Sequence, residues 1–327
     1  MRSLLAIATI LSTCAVSAAV DYANAQVAPS RAITLVVPFP AGGPTDTIGR
    51  IVAEGLQSAL GQPVIVENNP GATGSIGTGR VARSEADGHT LILGTVATHV
   101  FNAAAYDLKY DVVKDFEPIS LIAFDPQIIA VRKTMPVGDL SQLITWLKDN
   151  PDKAMVGTAG IGSTSHVSAV NFQALTGTHF RFIPYRGLGP AMVDLVGGHI
   201  DILFDLAANS LPQVRQGTVK ALAVTSANHL ASAPEIPTVD EAGLRGFYFL
   251  NWHAIWAPRG TPANVTARLN SAVRRLLADE RSRQRLLDIG QQLPPVEQQT
   301  PRALADYQRD EIARWWPVIK AANIKVE

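Results

Sequence analysis

Short β-branched runs alternate with helically spaced apolar residues along most of this chain, and that alternation constrains the fold more than any single motif does. Ile33-Thr34-Leu35-Val36-Val37 reads as a buried strand; Gly42, Gly43 and Pro44 break it. Ile48, Ile51, Val52, Leu56 and Leu60 then recur on one helix face, and Gly61 stops that helix. Val64-Ile65-Val66 predicts a second strand, Ile76 to Ser84 a short helix and Leu91-Ile92-Leu93 a third strand. This β-α-β-α-β order implies a parallel sheet with right-handed crossovers. The middle of the chain repeats the pattern, with strands at 128–131, 155–156, 181–183, 200–204 and 219–224 separated by helices at 140–148, 165–175 and 190–196. Two similar α/β halves result, without a significant sequence repeat between them.

The remainder starts no third domain. From Pro262 the pattern is helical (265–278, 281–289, 302–319) and too poor in strands to build a sheet, so it is expected to pack back on the first half. The first lobe is then discontinuous, 31–124 with 228–327, and the second lobe is 125–227. The chain would cross between lobes near Phe124 to Pro126 and near Ser226 to Asn228, the wiring of a hinged protein with a cleft.

Residues 1–25 read as an export signal: Arg2 begins it, Leu4 to Val20 is apolar and uncharged, and Ala23-Asn24-Ala25 is a small-x-small cleavage site. The apolar stretch is short for a bilayer anchor. Leu11-Ser12-Thr13-Cys14 resembles a lipid-attachment site, but Thr13 stands where a smaller residue is expected. Cleavage after Ala25 removes the one Cys of the chain, so neither a disulfide framework nor a cysteine-rich metal site is available. With 28 Lys and Arg against 28 Asp and Glu, there is no electrostatic excess for nucleic acid.

Three glycine-rich loops follow strands. In the first, Pro38 to Asp46, glycines let backbone approach a ligand, and the helix start behind them presents unpaired N–H groups and a positive dipole end. The plain alternative is a tight connection capped by Thr45. The second, Gly157 to His166, holds the matching place in the other half, with Ser163, Thr164 and Ser165 as neutral donors or simple caps. His166 reads as a packing residue. The third, Gly71-Ala72-Thr73-Gly74-Ser75-Ile76-Gly77, superficially fits a dinucleotide fingerprint. Asn68-Asn69-Pro70 separates it from its strand and no acid closes the next strand, so it is read as a structural turn. No Gly-x-Ser-x-Gly or His-Glu-x-x-His occurs, and the seven histidines lack metal-ligand spacing; no catalytic residue, metal or cofactor is expected.

The ordered motifs carry a resemblance. The first loop with Asp46, then Glu67 to Gly77, Ala86-Asp87-Gly88-His89-Thr90-Leu91, Gly162-Ser163-Thr164-Ser165-His166, Pro184-Tyr185-Arg186-Gly187, Gly197-Gly198-His199-Ile200-Asp201, Phe204-Asp205, Ala221 to Ser226 and Pro237 to Gly243 closely resemble the Bug-type solute-binding proteins of tripartite tricarboxylate transporters. The resemblance covers essentially the whole mature chain. It implies a two-lobe periplasmic binding protein of type II-like fold, each lobe a mixed sheet flanked by helices. Such a protein clamps a small organic carboxylate (a di- or tricarboxylate, an acidic amino acid or an aromatic acid) in the cleft. It then delivers the carboxylate, as a monomer, to a membrane permease. It further implies ligand contacts by Phe39, Ala41, Gly42, Gly43 and Asp46, by Gly162, Ser163, Thr164 and Ser165, by Thr95, Ala97 and Thr98 on the first-lobe wall, and by Asp205. Asn69 stands where a basic residue is usual and Ala97 where a polar one is common.

Two charges keep alternatives open. Asp205 either meets an amino or hydroxyl group of the ligand or orders neighbouring loop groups. Arg186 either pairs with a carboxylate or lies on a lobe surface. Arg268 to Arg285 is interleaved with Asp279 and Glu280 and reads as a solvated face, with permease docking as the alternative. Trp252, Trp256, Trp315 and Trp316 read as core. Two other functions stay open: a stand-alone ligand sensor for a membrane receptor, and an exported hydrolase, for which a nucleophile with its base is missing.

Overall fold

The computed structural model describes residues 31–325; the export signal expected at 1–25 lies outside the described residues. Strands β1 (Ile33–Val37), β2 (Val64–Asn68) and β3 (Thr90–Thr95) are parallel, as the alternation predicts. Leu35 and Val37 point to one face and Val36 to the other, and all three are buried, which is why the strand reads as a continuous apolar run. Helix α1 (Pro44–Leu60) places Ile48, Val52 and Leu56 on the first face, and Gly61, at φ 70°, ends it in the left-handed conformation that glycine adopts at no steric cost; the short helix α2 (Ser75–Ala82) follows β2.

One strand went unread in the sequence, and another was read only over 128–131. β4 spans Phe116–Arg132 and β9 spans Leu250–Pro258. β4 is one of the chain's organising elements. Its first part, to Pro126, pairs antiparallel with β9, which also pairs with β3. From Gln127 onward it pairs with β7 (Ile202–Leu206), and from Ile128 with β8 (Val219–Val224). With β5 (Met155–Thr158) and β6 (Arg181–Pro184), the sheet runs β2-β1-β3-β9-β4-β7-β5-β6, with β8 also on β4. Within each half the parallel strands are therefore joined by antiparallel ones, so the sheet is mixed.

Helices α3 (Leu140–Asp149) and α4 (Thr164–Thr176) cover one face of the second half, and α5 (Leu188–Gly197) and α6 (Ala207–Arg215) the other. The C-terminal helices return to the first half. Leu269, Val273 and Leu276 of α7 (Ala263–Ala278) pack on α1, α8 (Glu280–Asp288) adds Leu286, and α9 (Pro301–Ala321) sets Trp315 and Ile319 against Trp252 and Trp256. Residues between β8 and β9 stay with the second half: Leu230, Ala233 and Ile236 join the α5–α6 core, and Val239 and Phe247 the α3–α4 core. Where the halves join, Thr225 accepts the Gln127 N–H at 2.9 Å and donates to Phe249 O at 2.7 Å.

Candidate functional site

Four helix starts meet at one cavity between the halves. It is lined by Phe39, Pro40, Gly43, Pro44 and Thr45 at the start of α1, Ser163 and Thr164 at α4, and Gly187, Leu188 and Gly189 at α5. Leu206 precedes α6, and Ala97, Ala159 and Asn251 complete the wall. Its volume is about 30 Å³, so a ligand larger than water needs the halves to stand further apart than they do here.

At α1, the Thr47 N–H bonds to Gly43 O at 3.1 Å and Pro44 has no N–H, so the N–H groups of Thr45 and Asp46 precede the first helical bond. At α4, Ser163 caps the helix by accepting the His166 N–H at 3.3 Å, and Val167 makes the first helical bond, so Thr164 and Ser165 present the free donors. At α5 the extended Gly187 precedes Leu188 and Gly189, and Pro190 has no N–H to offer. These donors carry the positive ends of three helix dipoles. No residue lining the cavity is ionisable, among the described residues.

The residues expected at the site fall into two groups. Phe39, Gly43, Ala97, Ser163 and Thr164 line the cavity. Others hold the walls. Asp46 is buried; its carboxylate accepts the Gly42 N–H at 2.9 Å, Asn68 Nδ2 at 3.0 Å and Arg50 Nε at 2.9 Å, and so fixes the first loop. Burial opposes its ionisation, but those bonds together hold its pKa below the usual value. Ala41 and Gly42 form the exposed tip of that loop, with Gly42 at φ 77°. Thr98 Oγ1 takes the Thr95 N–H at 2.8 Å and contacts His99 Nδ1 at 2.9 Å, so both threonines brace the turn that presents Ala97. Ser165 Oγ takes the Ala159 N–H at 2.9 Å and contacts Ser163 Oγ at 3.0 Å. Gly162 donates to His166 Nδ1 at 3.3 Å, and burial lowers the pKa of that ring to about 4.

Asp205 does not line the cavity. It accepts Ser210 Oγ at 2.5 Å and Asn209 Nδ2 at 3.0 Å in the first turn of α6. Burial lifts its pKa to about 7 against those bonds. Thr45 does not cap α1; its hydroxyl lies 3.3 Å from His253 Nε2, and Gly43 holds the cap position. Arg186 is exposed and lines a wider groove of about 640 Å³ at the mouth of the cavity, with Thr73, Tyr106 and Tyr185.

The third glycine loop crosses the mouth. Thr73 Oγ1 and Tyr106 OH lie 2.8 Å apart, and both bond to Ile161 O in the second loop, at 3.1 and 2.9 Å. Thr73 sits at φ 51° and is held there by Asn102 Nδ2 on its carbonyl at 3.0 Å.

Sequence reasoning missed the α5 start and Asn251. The first had a signal in Gly187-Leu188-Gly189-Pro190, two glycines and a proline at a helix entry. The second had one in Asn251 and His253 alternating with tryptophan in an otherwise apolar run.

Comparison with known proteins bears on this geometry. Residues 48–324 match the family described as tripartite tricarboxylate transporter family receptor. BugT of Bordetella pertussis is 33% identical over 100% of this chain and 99% of its own. A protein encoded in the TAR-I ttuE-ttuC' intergenic region of Agrobacterium vitis is 37% identical over 90% of this chain and 85% of its own. Among solved structures, the periplasmic binding protein BugD superimposes with a TM-score of 0.87 at 36% identity, covering 91% of this chain and 100% of that one. MatC of Rhodopseudomonas palustris with bound malate gives 0.84 at 39%, covering 89% and 99%. An adipate-bound protein of the same organism gives 0.87 at 34%, covering 91% and 99%.

Proposed function

The chain belongs to the tripartite tricarboxylate transporter receptor family, whose structural neighbours are two-lobe periplasmic binding proteins, and on that premise we propose that it captures a small organic carboxylate in the cavity described above. The observation that carries this reading is the convergence of helix starts from both halves on one cavity without a charged side chain. Malate in MatC and adipate in the second R. palustris protein support the ligand class. In this reading Phe39, Gly43, Ala97, Ser163 and Thr164 face the ligand with Leu188 and Gly189. Ala41, Gly42, Asp46, Thr95, Thr98, Gly162, Ser165 and Asp205 shape the walls. The protein acts in the periplasm after cleavage near Ala25 and hands the ligand, as a monomer and without turnover, to a membrane permease. Among the described residues no helix is long and apolar enough to cross a membrane.

Energetics couple capture to closure. A hydrogen bond to a charged group contributes about 1.5–3 kcal/mol net, and micromolar affinity needs about 8 kcal/mol. One helix start is insufficient, and only the closed form brings the starts of α1, α4 and α5 onto one anion. The first lobe comprises 31–124 and the C-terminal part from β9; the second runs from 125 to Phe247, because 230–247 packs with the second-half cores. The crossings are then β4 near Asp125 and the segment from Phe247 to Phe249.

A thermal-shift screen of the mature protein against small carboxylates tests the reading. Ligand at 100 times its Kd adds about 2.7 kcal/mol, a rise of roughly 4–5 °C at an unfolding entropy of about 2.1 cal/mol/K per residue over the mature chain. Shifts by neutral sugars with none by carboxylates would sink it. Hydrolysis of the bound compound would restore the hydrolase, and loss of a signalling response with intact uptake on gene deletion would restore the sensor.

A further inference from the structure

The cavity wall carries a group that carboxylate capture leaves unused. Asn251 is 1% exposed and lines the cavity, and neither its Oδ1 nor its Nδ2 has a hydrogen-bond partner among the described residues. Burying an amide in this way is unfavourable unless something satisfies it.

Its surroundings set what that can be. The β4–β9 ladder places Asp125 directly opposite Asn251, on the same face and fully buried. At the α6 start, Asp205 accepts from the side chains of Asn209 and Ser210 in the first turn. No Lys, Arg or His lines the cavity, among the described residues. A second carboxylate arriving beside Asn251 would meet one amide donor and no cation to balance its buried charge. A carboxamide or hydroxyl can instead donate to Oδ1 and accept from Nδ2 without bringing charge.

We propose that Asn251 reads the end of the ligand remote from the captured carboxylate, and selects small monocarboxylates bearing an uncharged hydrogen-bonding group there, a carboxamide or hydroxyl, over dicarboxylates. This rests on the carboxylate-capture reading above and narrows it.

Isothermal titration at neutral pH with succinamate, succinate and butyrate tests it on the mature parent and on Asn251→Leu. The parent binds succinamate at least about tenfold more tightly than either of the other two. In Asn251→Leu the succinamate-to-butyrate ratio falls by about tenfold or more, one hydrogen-bonded pair's worth. Tighter parent binding of succinate than of succinamate overturns the proposal, as does an unchanged ratio in the variant. Binding of other carboxylates but none of these three overturns it too. Failure of every carboxylate in the thermal-shift screen overturns the capture reading instead. If Asn251→Leu does not fold, Asn251→Ser carries the same comparison.

Discussion

Buried titratable side chains in both halves make this protein's stability depend on pH through opposing groups. Burial lowers the pKa of His99 and of His253 to about 3 from 6.5, so the native protein keeps both rings neutral where the unfolded chain would protonate them. Their contribution is intact above 6.5 and is lost progressively as pH falls toward 3. Asp205 works the other way: burial raises it from 3.8 to about 7, so its contribution is present below 3.8 and lost as pH rises through 7. Asp125 is also raised, by burial and by the neighbouring charge of Asp205. His99→Phe, which keeps an aromatic ring stacked on Trp256, is expected to flatten the fall in melting temperature between pH 6.5 and 4, measured by calorimetry. Asp205→Asn is expected to gain on the parent as pH rises from 3.8 to 7, and a constant difference across that range would remove Asp205 from the account. None of this was legible in the sequence, where Asp205 was an acid of two possible roles and the histidines were merely without metal spacing. Titration depends on burial, and burial of a polar residue is a property of the packed molecule.

At the scale of elements, the third glycine loop changes meaning most. Its spacing suggested a nucleotide fingerprint and its context a turn. The turn is there, as Ala72–Gly74 leading into the helix Ser75–Ala82, but Thr73 also reaches the opposite half. Thr73→Val with Tyr106→Phe removes both hydroxyls from Ile161 O. At about 0.5–1.5 kcal/mol per bond, ligand affinity is expected to fall roughly 5- to 100-fold for the pair. The check is isothermal titration with whichever carboxylate the screen identifies; an affinity equal to the parent's would mean that these bonds do not bear on closure. Elements whose pattern is local were readable: β1, α1 and the α4 start follow from apolar period and capping chemistry. β9 was not, nor was β4 before Ile128. Their runs contain Pro118, Pro126, Asn251 and His253, which look like loop or turn residues until both strands are seen paired with each other across the middle of the sheet.

For the whole molecule, closure sets the tightest constraint. Gly187 is extended, so its backbone would accept any residue, but a Cβ there would lie 3.0 Å from Pro40 Cδ on the other wall. Gly187→Ala is expected to hold the halves slightly apart, weakening carboxylate binding about tenfold or more while changing the unliganded melting temperature by little. Small-angle scattering with and without ligand reads the accompanying loss of compaction, and full compaction in the variant would show that the contact does not limit closure.

The sequence by itself determined the alternating elements, two of the helix starts and the chemistry they offer, because strand period, helix period and capping are set by residues within a few positions of one another. Only the tertiary structure decided that the α5 start joins those of α1 and α4, that Asn251 lies bare on the cavity wall, and that Asp205 turns into α6 instead. Each of these depends on which distant segments β4 and β9 bring together across the sheet, and no local spacing encodes that.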